Sequence, residues 1–204
     1  MHISEGVLSP PVLATGAALA AAGCGFGLKK LDYDRVPQVA ILTSAFFVAS
    51  LIHIPIGPSS AHLVLNGLMG LLLGWPAFPA ILIALFLQAL LFQFGGITGL
   101  GVNTFNMAFP AIVCFYFFGR AVKGKNNVIS MGAAFACGFL GILFGSLMVA
   151  VSLVFTGNSF LGIAKVVVIA HLPVMIIEGL ITLFSAGFLK KLKPELLEAV
   201  HAKG

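Results

Sequence analysis

The chain has 204 residues, of which 60% are hydrophobic and only 8% charged, and its mean hydropathy is +1.13. That is too little charge to cover a soluble globule of this length, so a water-soluble domain is excluded and an integral membrane protein is expected. The net charge of +5 comes from basic residues that flank apolar segments without interleaved base-stacking aromatics, which argues for a topology signal and against nucleic-acid binding.

In chain order, apolar segments fall at Val7 to Leu28, Val36 to Ile54, Ala61 to Leu73, Phe78 to Phe94, Phe105 to Val122, Val128 to Phe155 and Val166 to Leu189. Crossing a bilayer takes about 20 residues at about 1.5 Å each, a length most of them meet, while the third is short and expected to be tilted, broken or partly re-entrant. Uninterrupted apolar runs without period-2 alternation favour helices over a barrel. The expected fold class is therefore all-α: a polytopic membrane protein of about seven transmembrane helices. It is read as one membrane-embedded domain over 1–204, with an N-terminal loop at 1–10 and a C-terminal tail at 190–204.

With the N-terminus outside, the inner segments hold Lys29, Lys30, Arg35, Arg120, Lys123, Lys125, Lys190, Lys191, Lys193 and Lys203, and the outer segments hold only Lys165. This bias predicts an N-out, C-in, multi-pass protein of the inner (plasma) membrane. No Lys or Arg precedes Lys29, so a cleaved signal peptide is not expected. The bulky His2 disfavours removal of Met1, so a free Met1 amine is expected.

Cys24, Cys114 and Cys137 lie in apolar segments without a CxxC spacing and read as packing residues. The histidines are less evenly spread: His2, His53, His62 and His171 map to the outer face and only His201 to the cytoplasm. The amine of Met1, the amide between residues 1 and 2, and Nδ1 of His2 close adjoining chelate rings around one ion. Such a nitrogen set suits Ni(II), Cu(II) or Co(II) and disfavours Ca and Mg. One more imidazole completes a square, with His62 the first candidate and His53 the second. His62 is expected to begin the third helix.

Glu178 follows His171 by two helical turns on the same face, and a carboxyl group in hydrocarbon needs a partner, water or a proton. Both are candidate intramembrane functional residues, with a neutral Glu178 tying helices together as the alternative. Gly138, Gly141 and Gly145 form a small-residue packing face, and Asn66 and Gln88 are expected to bond between helices.

The opening Met1-His2-Ile3-Ser4-Glu5-Gly6-Val7-Leu8-Ser9-Pro10 and the stretch His53-Ile54-Pro55-Ile56-Gly57-Pro58-Ser59-Ser60-Ala61-His62-Leu63 closely resemble the CbiM/NikM family. So do Phe94-Gly95-Gly96-Ile97-Thr98, Gly101-Val102-Asn103, Asn106-Met107 and Glu178-Gly179. That family comprises the substrate-capturing membrane components of energy-coupling factor transporters for cobalt and nickel. The resemblance implies that Met1, His2 and His62 hold the ion and that a loop from Gln93 to Asn106 covers it. Gly95, Gly96, Gly99 and Gly101 would allow close backbone approach there, with Asn103 or Asn106 hydrogen-bonding the outer imidazole nitrogens.

The resemblance also implies partners: a transmembrane coupling subunit, ATPase subunits and a small accessory membrane protein. The chain has no Walker A sequence, so it is expected to be a capture subunit and not an enzyme, with Co2+ or Ni2+ as its bound substrate and no organic cofactor. Nitrogen-rich planar geometry favours nickel, whereas the stretches Pro55 to Ser60 and Leu63 to Gly67 resemble cobalt-type members, and cobalt is preferred on the longer match. An intramembrane hydrolase would need HExxH or a Ser/His pair, for which only Ser59 or Ser60 near His62 offers material. An autonomous secondary transporter would more often show duplicated halves and several paired intramembrane charges, and no repeat is evident.

Overall fold

The computed structural model describes residues 1–198, and His201 and Lys203 lie outside the described residues. The elements are α1 (Pro10–Lys29), α2 (Val36–Ala49), β1 (His53–Ile56), β2 (Ser59–His62), α3 (Asn66–Leu73), α4 (Ala77–Phe92) and α5 (Leu100–Lys123). They are followed by α6 (Asn127–Thr156), α7 (Leu161–Ala170), α8 (Leu172–Leu192) and α9 (Pro194–Glu198). Among the described residues, α1, α5, α6 and the stretch from Asn158 to Leu192 are each long and apolar enough to cross a membrane, and α4 is a shorter apolar helix.

Chain punctuation explains most boundaries. Pro10 and Pro11 open α1, Pro37 opens α2 and Pro173 opens α8, each in the first turn, where the missing N–H costs nothing. Asn126 caps α6, its side chain accepting from the amides of Val128 and Ile129. The last apolar segment is thus two helices that join at His171.

The third apolar segment departs most from expectation. Residues 53–62 form an antiparallel hairpin, with His53 opposite His62 and Ile56 opposite Ser59, so His62 ends a strand and does not begin a helix. Pro55 and Pro58 both lack an amide N–H, and Gly57 turns at φ +56°, which blocks helix through this stretch. β2 is buried throughout, and on its open edge Ile3 bridges to Ser59 while the Ser4 amide donates to the Pro58 carbonyl at 2.9 Å. Irregular backbone at this depth is tolerable because protein surrounds it.

α3, eight residues long and buried at every one, rises only about 12 Å, less than half of a bilayer core. Residues outside the helix serve both of its ends. Glu178 accepts from the amides of Val64 and Leu65 just before it, and Arg35 Nη2 donates to the Leu72 carbonyl at 2.7 Å at the other end. An acid at the N-terminus and a base at the C-terminus is the arrangement the helix dipole favours.

Glycines let the helices close around α3. A Cβ on Gly67 would lie 2.7 Å from the Gly138 Cα, so α3 and α6 meet backbone to backbone, as small residues allow between membrane helices. Gly16, Gly23 and Gly27 make room on α1 for the side chains of Val102 of α5 and of Phe78 and Pro79 of α4. Gln88 ties α4 to α2, donating to the Phe47 carbonyl at 3.2 Å and to the Ser50 hydroxyl. Asn66 differs from expectation: both its side-chain polar atoms are buried without a hydrogen-bond partner.

The chain has two distinct ends. At one, Arg35 reaches α3, Lys190 Nζ donates to the Gly124 carbonyl at 2.6 Å, and Trp75 Nε1 donates to the Tyr116 hydroxyl at 3.0 Å. At the other lie the N-terminal segment, the hairpin, residues 93–99 and the α6–α7 turn, where the Ser9 amide donates to Thr156 Oγ1 at 3.3 Å.

Candidate metal centre

The N-terminal segment is threaded inward at this second end. Asn103, in the first turn of α5, grips the Ile3 peptide twice: Oδ1 accepts from the Ile3 amide at 2.9 Å, and Nδ2 donates to its carbonyl at 3.1 Å. With the bridge from Ile3 to Ser59, this pins residue 3 on both sides. Glu5 is held by the Thr98 hydroxyl and by the Thr98 amide at 3.3 Å. Met1 and Ile3 are fully buried and His2 is 5% exposed.

Those anchors bring His2 onto His62. Their rings stack with centroids 4.5 Å apart and an interplanar angle of 25°. Phe94 closes one side, its ring 6.2 Å from that of His2 and 4.2 Å, edge-on, from that of His53. Gly95 and Gly96 have φ near +70°, and a Cβ on Gly95 would lie 3.2 Å from His2 Nδ1, so the loop backbone sits flush against the imidazole. The Met1 side chain enters a socket at Gly145 in α6, where a Cβ would lie 2.6 Å from Cε.

Burial is the largest influence on all three basic groups, holding the Met1 amine and the His2 and His62 imidazoles well below their ordinary pKa values. Lesser contributions come from the amine acting on both rings, from His53 acting on His2 and from His2 acting on His62. At neutral pH each therefore carries a free lone pair. His62 Nδ1 lies 2.8 Å from the Leu63 carbonyl oxygen, which can only accept, so Nδ1 bears the proton and Nε2 the lone pair. Nε2 of His2 and of His62 are both buried without a hydrogen-bond partner. Among the described residues no three His, Cys, Asp or Glu side chains converge as a metal cage. A transition ion bound here would draw on two imidazoles together with backbone nitrogen.

A family model described as the cobalt uptake substrate-specific transmembrane region matches residues 2–196. The chain belongs to the CbiM family. Among its relatives is a Haemophilus influenzae protein named "Putative metal transport protein", 41% identical over 97% of each chain. The "Fused nickel transport protein NikMN" of Rhodobacter capsulatus is 36% identical over 66% of this chain and 42% of that one. A solved structure titled as a truncated transition metal transporter superposes with TM-score 0.73 at 31% identity, covering 94% of this chain and 99% of the other.

Seen as a CbiM-family fold, the remaining sequence candidates fall into different places. His53 stands opposite His62 in the hairpin, with Nδ1 3.1 Å from the Leu51 carbonyl. Asn103 and Asn106, expected on the outer imidazole nitrogens, bond elsewhere: Asn103 clamps the Ile3 peptide, and Asn106 Nδ2 donates to Ser152 Oγ at 3.1 Å. The reason is that His62 takes its partner from the adjacent carbonyl, and Asn103 is occupied with backbone. The expected covering loop is only 93–99, since α5 starts at Leu100. Of its glycines, Gly95 meets His2, Gly96 meets Glu5, and Gly101 packs on Ala17 of α1.

His171 is buried where α7 meets α8, with Nδ1 2.7 Å from the Val167 carbonyl and Nε2 unpartnered. Glu178 lies deeper on α8, joined to the chain just past His62. Gly145, expected to pack helix on helix, receives the Met1 side chain. Its spacing within a glycine face gave no sign of which side chain it receives.

Proposed function

We propose that this CbiM-family protein is the substrate-capture subunit of an energy-coupling factor transporter, taking a divalent transition ion from outside the cell for ATP-driven uptake. The donors are the Met1 amine, the amide and Nδ1 of His2, and Nε2 of His62. The observation that carries this is the stacked His2–His62 pair beside the buried amine. Cobalt is the preferred substrate on the family match, and nickel is the alternative because a planar nitrogen set suits it. Energy comes from partners: a coupling subunit, ATPase subunits and a small accessory membrane protein. The basic end of the fold faces the cytoplasm in this arrangement, in the plasma membrane.

The unbonded state of Ser59 Oγ and His62 Nε2 weighs against a Ser/His nucleophile. Metal analysis of purified protein tests the proposal, with N-terminal sequencing to establish that Met1 is the first residue. His2→Ala and a variant with one residue added ahead of Met1 should both lose the ion. Full retention in the extended variant removes the amine from the donor set. Uptake by vesicles carrying this chain without ATPase partners would instead favour a secondary transporter.

A further inference from the structure

One hydrogen-bonded path runs from the candidate ligand His62 into the centre of the membrane fold. His62 Nδ1–H donates to the Leu63 carbonyl at 2.8 Å. That carbonyl belongs to the peptide between Leu63 and Val64, and the N–H of the same peptide donates to Glu178 Oε1 at 2.5 Å. The next amide, of Leu65, donates to the same oxygen at 2.8 Å. Leu65 stands in the left-handed region at φ +53°, a position that a non-glycine residue keeps only when its surroundings hold it. Glu178 is itself fully buried, and its backbone carbonyl packs on Gly138.

We propose that Glu178 is a positioning residue for the metal ligand His62, acting through the Leu63–Val64 peptide. The inference rests on the assignment of His62 Nε2 as a donor. A carboxyl oxygen that accepts from a peptide N–H polarises the peptide and strengthens its carbonyl as an acceptor. The strengthened carbonyl keeps the proton on His62 Nδ1, turns the ring, and makes Nε2 a better electron donor. Metal-bound histidines commonly have a carboxylate directly on the second nitrogen, and here one peptide is interposed. Because Glu178 sits on α8 and His62 on the hairpin, the path also ties ligand geometry to the placement of a membrane helix. If Glu178 served only to cap α3, its replacement would alter stability and leave the His62 ring electronically unchanged.

The test is nitrogen-15 NMR of histidine-labelled, metal-free protein, paired with Co(II) titration. Glu178→Gln keeps the size and one accepting oxygen but weakens the acceptor, and Glu178→Leu removes it. The His62 ring resonances should move toward a tautomer mixture in Glu178→Leu and part-way in Glu178→Gln, while those of His2 stay put. Co(II) affinity should fall about 10- to 100-fold in the leucine variant and less in the glutamine variant, as expected when the partner of a ligating histidine is lost. The Glu178→Gln effect should vanish in a His62→Ala background. Unmoved His62 resonances in Glu178→Gln overturn the proposal, as does an equal loss of affinity with and without His62. The glutamine variant keeps the question open to test if the leucine variant does not fold. Wild-type affinity in His62→Ala alone would remove His62 from the donor set, an outcome separate from the metal-free resonances, which still decide the relay.

Discussion

Backbone conformation and side-chain contact converge at Gly95, where φ is +72° and a Cβ would come 2.7 Å from Asn103 Nδ2 and 3.2 Å from His2 Nδ1. Gly95→Ala should therefore displace His2 or loosen the Asn103 grip on Ile3. The left-handed backbone alone costs about 1 kcal/mol for a β-carbon. Co(II) affinity by calorimetry should fall at least about tenfold, since a ligand misplaced by under an ångström loses its bond geometry. Unchanged affinity would mean that the loop does not set the imidazole. A second residue-scale expectation follows from the lowered pKa of the amine and both imidazoles. Between pH 6.5 and 8, where such groups ordinarily bind protons, these are already neutral, so a metal displaces no proton from them. With the proposed donor set, the proton lost would be that of the His2 amide. Binding should release about one proton, and affinity should rise about tenfold per pH unit across this window. Calorimetry in buffers of different ionisation enthalpy measures that number, and release nearer two or three would show that the donors are protonated before binding.

At the scale of elements, the packing of α3 and α6 depends on which atom each glycine faces. Gly145 faces the flexible end of Met1, with a Cβ 3.2 Å from Sδ, whereas Gly67 faces the Gly138 backbone. Gly145→Ala should be tolerated because a thioether shifts cheaply, while Gly145→Val should push Met1 outward and weaken metal binding. Gly67→Ala should instead lower stability by about 2 kcal/mol or more through helix separation, with Gly132→Ala, which points into open space, as the neutral control. Thermal melts beside metal titrations separate the two classes, and equal effects at Gly67 and Gly132 would refute the close packing. These contrasts mark the limit of what the chain discloses before it folds. The spans of α1 and α6 are visible because long apolar runs with prolines or a capping Asn126 at their starts carry their own boundaries. The hairpin is not visible, because four-residue strands are too short to display alternation and β2 gains one of its neighbours from Ile3, remote in sequence. The meeting of Met1, His2 and His62 is legible from the resemblance and from one-sided histidine placement. The peptide path to Glu178 is not, since it depends on which backbone amide a buried carboxyl group happens to reach.

Over the whole molecule, charge and chemistry separate to opposite ends, and that separation fixes what orientation a transport role requires. The end bearing Arg35, Gly124 and Lys190 is joined by side-chain to backbone bonds, while His2, His53 and His62 gather at the other. Each inward-facing Lys or Arg opposes translocation of its loop, so the histidine end should open outside the cell. Impermeant maleimide labelling of intact cells can decide this, because Cys24, Cys114 and Cys137 are all buried and give little background. Ile52, 75% exposed in the turn ahead of β1, is the outer reporter, and Lys125, exposed between α5 and α6, is the inner one. Ile52→Cys should label in intact cells, and Lys125→Cys only after permeabilisation. The reverse pattern would place the donors in the cytoplasm, where a capture step preceding uptake has no physical meaning, and the metal centre would then have to serve efflux or storage. With the predicted pattern, an ion arriving from outside would meet the proposed nitrogen donors at the histidine end. Just past His62 the chain leads into α3, a short and wholly buried helix whose two ends are held by Glu178 and Arg35.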